Sequence, residues 1–153
     1  MKFFRSILLA ISLVSIPLTA IDKQAHIEGK FFSKLSDYRF FKDLTNQIPA
    51  DEVLPYQLQS ELFSDYTYKQ RFVYVPPAMK VEHEKNKVFM FPVGSVLIKT
   101  FSYQNTMSEL SPQLLETRLL IHSEGGWKAV SYIWNEDQSE AYLSLVGGTI
   151  QTS

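Results

Sequence analysis

Cysteine is absent from the 153 residues. That absence excludes disulfides, thiolate metal sites, a lipoprotein anchor and covalent c-type haem attachment through Cys-x-x-Cys-His. A dominant charge is also missing. Fifteen basic residues face sixteen acidic ones, so nothing in the composition points to nucleic acid or to an anionic membrane surface. No apolar run is long enough to span a bilayer comfortably; the longest, residues 7–18 (ILLAISLVSIPL), has twelve residues. Neither G-x-G-x-x-G nor a Walker loop occurs, and no serine sits in G-x-S-x-G or beside a histidine in a readable turn. No catalytic constellation can be assembled, so the chain is expected not to be an enzyme.

What is present describes an exported β domain. Lys2 and Arg5 precede the apolar stretch and Ala20 follows it. Residues 1–20 therefore read as a signal peptide and the product as periplasmic or extracellular, with no integral membrane span once the segment is removed. Without Lys2 and Arg5 the chain has thirteen basic against sixteen acidic residues. Residues 21–34 are polar without a clear period and read as a leader. Residues 35–153 are expected to form a single domain.

The fold class expected is mainly β, an antiparallel sandwich or partly open barrel with one short N-terminal helix. Ser36 is a candidate N-cap for that helix, Phe40, Phe41 and Leu44 fall on one face, and Pro49 stops it. Residues 88–103 (VFMFPVGSVLIKTFSY) read as two central strands, 88–91 and 96–101, bent apart by Pro92 and Gly94. Gly125-Gly126 signals a hairpin. Centred there, it pairs Ile121 with Val130, Leu119 with Tyr132 and Thr117 with Trp134, and makes that face the buried one. Further strands are expected at 71–75 and 141–146, and a last one begins at Thr149 after Gly147-Gly148.

The charged residues inside strands draw most attention. Lys99 shares a face with Leu97 and Phe101, and Glu116 and Arg118 share the more polar face of the hairpin. A structural reading pairs Glu116 with Lys99 or Arg118 across the ladder and fixes register. A functional reading makes Lys99 and Arg118 a recognition site for a carboxylate or another anionic group, with Trp127 at the hairpin tip free to stack on a ligand. No metal site is expected. Glu82, His83 and Glu84 would alternate sides of a strand and read as a solvated loop. His26 and His122 read as surface residues.

Several blocks together carry a resemblance: Leu35-Ser36-Asp37-Tyr38, Pro55-Tyr56-Gln57-Leu58, Leu62-Phe63-Ser64-Asp65-Tyr66, Lys69-Gln70-Arg71-Phe72, FPVGSVLIKTF at 91–101, Glu116-Thr117-Arg118, and Gly126-Trp127 before YIWNEDQ at 132–138. In this order they resemble the N-terminal β region of an exported bacterial family related to di-haem c-type cytochromes. In that family a haem-bearing C-terminal part follows. The segment around Phe91 and Lys99 is also similar to the β domain of P460-type cytochromes. With no cysteine here, the resemblance implies a haem-free accessory domain, without a cofactor of its own, whose partner would be a haem-bearing c-type cytochrome. The alternative is a free-standing exported module that binds a small anionic or aromatic ligand. A closed barrel with a lined pocket would favour ligand binding, and an open sheet edge would favour docking.

Overall fold

A computed structural model describes residues 20–59, 67–103 and 112–144. The expected turn at 63–66, the loop at 104–111, the signal peptide up to residue 19 and everything after Ser144 lie outside the described residues. The chain is mainly β and antiparallel. Six strands form one sheet in sequence order: β3 (Val53–Pro55), β4 (Tyr68–Tyr74), β5 (Val96–Tyr103), β6 (Gln113–Ser123), β7 (Gly126–Trp134) and β8 (Ala141–Ser144). The sheet does not close into a barrel. A two-stranded ribbon, β1 (Phe41–Asp43) with β2 (Ile48–Pro49), accompanies it.

The strict alternation of buried and half-buried residues along β5 shows that the sheet has one covered face. Val96, Ile98, Leu119, Ile121, Val130, Tyr132 and Trp134 occupy that face, and Leu35, Tyr38 and Phe40 from the N-terminal segment pack into the same core. A buried polar ladder runs through it. Trp134 Nε1–H donates to Thr117 Oγ1 at 3.0 Å, Thr117 and Thr100 hydroxyls are 2.9 Å apart, and Thr100 donates to Gln47 Oε1 at 2.7 Å. Thr100 has one proton and Gln47 takes it, so Thr117 must donate to Thr100.

Four expectations need correction. The short N-terminal helix exists, but it is α1, Lys23–Glu28, inside the stretch read as leader. Asp22 caps it, its Oδ1 accepting from Ala25 N at 3.1 Å, and Gly29 ends it at φ 66°. Residues 36–44 form no α-helix: a 3-10 turn, Leu35–Tyr38, is ended by Arg39 in the left-handed region at φ 59°, and strand β1 follows. Beyond it Phe40 is fully buried and the Phe41 ring meets Phe72 edge-on at 5.1 Å. Burying two rings against the sheet outweighs a weak helical period.

The first of the two central strands is absent as well. Val88 is 85% exposed and Phe89 59%, and only Met90 pairs, in an isolated bridge to Glu82. Three successive apolar residues need partners on both faces, and no neighbouring strand offers them. The second strand is β5. In the hairpin the faces are as expected, but the register moves by two: Leu119 pairs with Val130, Thr117 with Tyr132, and Ser123 closes on Gly126. Glu124 and Gly125 make the turn, while Gly126, at φ 96°, takes the left-handed position after them. The fourth correction is His26, read as exposed and found with no accessible surface.

Candidate anion-binding face

The face of the sheet that the described residues leave uncovered carries the charged residues. Strand register places Arg71 of β4 directly opposite Lys99 of β5, Lys99 opposite Arg118 of β6, and Arg118 opposite Ser131 of β7. Residues paired in this way share a face, so three cations stand side by side on adjacent strands. One step along the strands, Lys69, Phe101 and Glu116 form the next row. Glu116 is the one carboxylate that the six described strands contain.

Phe101 is the floor under two of the cations. Lys99 Nζ lies 4.5 Å from its ring centroid and Arg118 Cζ 4.8 Å. Arg118 is further held by Glu116, with Nε and Nη2 donating to the two carboxylate oxygens at 2.9 and 2.8 Å. This fork orients the guanidinium and raises its pKa. Burial pushes the Glu116 carboxyl up, but hydrogen bonds from Arg118 and Ser131 and the nearby Lys99 charge outweigh it and hold the pKa below the usual range. Lys99 shows the opposite balance. Partial burial, and then the Arg71, Lys69 and Arg118 charges, lower its pKa, and Glu116 offsets only part of this. Lys99 makes no ion pair with Glu116; Arg118 takes both oxygens.

At the β3–β4 margin the row runs into a cleft of about 520 Å³ lined by residues 55–57 and 69–72. It forms where the short edge strand β3 leaves β4, with Tyr56 N still donating to Arg71 O at 3.0 Å. Arg71 lies at the floor, 7% exposed, with Nη1 donating to Lys69 O at 3.5 Å. Burial raises the pKa of the Tyr56 phenol against the pull of the Arg71 charge, so the hydroxyl stays protonated.

The structure therefore brings Lys99, Glu116 and Arg118 together and adds Lys69, Arg71 and Tyr56, which sequence reasoning missed. Period-two charges inside a strand were the available signal: Lys69 and Arg71 stand in β4 as Lys99 stands in β5. Trp127 is on the same face but apart. It pairs with His122 at the hairpin end, four residues or roughly 13 Å along β6 from Arg118. Its ring stacks on His122 at 4.5 Å and meets Phe91 at 6.1 Å, and His122 Nδ1 donates to Phe91 O at 2.8 Å. Glu82, His83 and Glu84 lie exposed on the loop beside that cluster. Among the described residues no group of three His, Asp or Glu side chains is placed to hold a metal ion, and no helix is long and apolar enough to cross a membrane.

Comparison with known proteins gives no match to a family model, a curated protein or a solved structure. The likeness to the cytochrome-related family rests on its sequence blocks alone.

Proposed function

We propose that the protein is a binding module for an anionic ligand, held on the open sheet face by Lys99 and Arg118 with Arg71 and Lys69 at the cleft. The observation that carries this reading is Lys99 standing directly between Arg71 and Arg118. Like charges opposite one another weaken a ladder. A cluster serving only register needs one ion pair, and Arg118–Glu116 supplies it; Lys99, held over the Phe101 ring rather than on Glu116, fits a face that receives negative charge. The open sheet makes this a surface site rather than a barrel interior.

The test is thermal unfolding in citrate against chloride at matched ionic strength. A ligand that binds the native state raises the midpoint with concentration. The reading expects citrate to do so for the natural chain and not for Lys99→Gln. Equal midpoints in both salts would overturn it. A second reading, docking on a haem-bearing c-type cytochrome, draws on the family resemblance and on the exposed Val88, Phe89 and Met90.

A further inference from the structure

We infer that β7 carries a docking edge for an extended peptide of another protein, a segment in which an acidic residue stands between two aliphatic ones. The site lies apart from the cation row and goes beyond the anion-binding reading. β8 covers β7 only from Ser131 to Trp134. Two bonds fix which backbone groups this shortfall leaves over. His122 N donates to Ser95 O at 2.9 Å, so even-numbered residues of β6 turn toward β5 and odd-numbered ones toward β7. In the register that pairs Ser123 with Gly126, the backbones of Gly126, Lys128 and Val130 then turn toward β6, and those of Trp127, Ala129 and Ser131 turn outward. Asn135 N, donating to Glu140 O at 3.0 Å, has the same phase at the far end. Ser131 meets β8. Beyond it the N–H and C=O of Trp127 and Ala129 point out from an edge where no described residue pairs with them.

Such an edge selects its occupant. Donors and acceptors that alternate at strand spacing are met by another extended backbone. The chain blunts the outer side of β8 with Ser33 and Lys34, yet this stretch of β7 has no such cover among the described residues. Trp127 and Ala129 are exposed on the open face. His122 stacks on the Trp127 ring from the β6 side, at 4.5 Å and 9° between planes, so the opposite ring face looks toward the position of an added strand. Ala129 beside it offers only a methyl group. Side chains of an added strand opposite these two find room and an apolar wall, which suits branched aliphatic residues. The residue between them falls on the other face, opposite Lys128. Lys128 is half-buried there and makes no ion pair with a described residue, so a carboxylate is its complement. The same lysine disfavours a second copy. The two-fold pairing that uses both Trp127 and Ala129 sets Lys128 against Lys128.

Nuclear magnetic resonance on the amides of the full chain tests this with three capped pentapeptides: TVEVT, TVKVT, and TVEVT methylated on both valine nitrogens. TVEVT is expected to shift the Trp127 and Ala129 amides saturably and to slow their exchange with solvent. It should bind about fivefold more tightly than TVKVT. Lys128→Glu should reverse that order, which misfolding would not do. The methylated peptide should not bind. Ala129→Pro removes an N–H that β6 does not use. It should abolish binding while the Lys128 and Val130 amides, turned toward β6, stay slow to exchange. No change at the two edge amides with any peptide, or equal binding of the methylated one, would overturn the inference. Slow exchange of those amides in the full chain alone would overturn it too. Slowing that grows with protein concentration would give the edge to a second copy, and slowing independent of concentration would give it to residues 145–153 of the same chain.

Discussion

His26 is enclosed by the rings of Tyr38, Phe40 and Tyr74, with centroids 5.8, 5.3 and 5.5 Å away, and neither of its nitrogens makes a hydrogen bond. Burial lowers its pKa from 6.5 to about 4, against opposing contributions from the Asp22 carboxylate and the Gly94 backbone. The unfolded chain therefore accepts a proton that the native one refuses. Stability is unaffected above about pH 6.5, falls as pH drops from there to about 4, and levels off below, a loss of about 3 kcal/mol in all. Glu116, Asp43 and Asp137 also have lowered pKa values, but their contributions fade only below their unfolded values of 4.5, 3.8 and 3.8. Denaturant melts at pH 7 and pH 5 should differ for the natural chain and coincide for His26→Phe. Equal slopes in the two proteins would refute the assignment. The sequence gives little hint of this: six helical residues are less than two turns, and the enclosing rings come from two other segments, Tyr38 with Phe40 and, in β4, Tyr74. Lys99 is a residue where the two readings disagree in sign. Lys99→Met relieves like-charge crowding while keeping the stem over Phe101, so the unfolding free energy should rise by about 0.5 kcal/mol and the midpoint with it, more at low salt, while anion binding is lost. A purely structural lysine would give a lower midpoint.

Between elements, the information lies in which groups must be satisfied. The hairpin faces were legible because alternation has period two and tolerates a two-residue slip; the register was not, because two adjacent glycines could each serve the turn. Residues 88–91 show the converse. Their composition suits a strand, but composition names no partner, and without one Val88 and Phe89 stay in solvent. The Gln47–Thr100–Thr117–Trp134 ladder joins β5, β6 and β7 to the turn before β2. Thr117→Val keeps the shape, removes an acceptor from the Trp134 N–H and a donor from Thr100, and buries both. A loss of about 2 kcal/mol is expected in chemical denaturation. Thr45→Val, which removes only an exposed hydrogen bond to Gln138 O near the same turn, should cost less, about 0.5 kcal/mol. A Thr117→Val protein as stable as the natural chain would mean that the ladder does not hold these strands together.

Across the whole molecule, the two faces of one sheet divide the work. Residues from 20 to 41, including those expected to be a leader, cover one face. Tyr132 Oη donates to Phe32 O at 2.8 Å, Glu124 N to Ile27 O at 2.9 Å, Leu143 N to Ser33 O at 3.0 Å, and Lys34 bridges Tyr142. The last two contacts also cover the outer side of β8, which is how one edge of the open sheet is blunted. The other face, which none of the described residues cover, carries the cation row. If this division is right, the N-terminal segment is a structural layer rather than a tether. Removing residues up to 34 should then uncover Ile121, Val130 and Tyr132 and leave only the segment from Leu35 to Phe41, among the described residues, as cover on that side. A single sheet without a packed layer does not hold a domain together. The truncated chain is therefore expected to lose its cooperative thermal transition by circular dichroism and to bind a hydrophobic dye. Adding back residues 20–34 as a peptide should not depend on the anion site, so Lys99→Gln should respond to the truncation as the natural protein does. A truncated chain that melts cooperatively near the natural midpoint would show that these residues are dispensable, and that strands and turns after Lys34 suffice to bury the core.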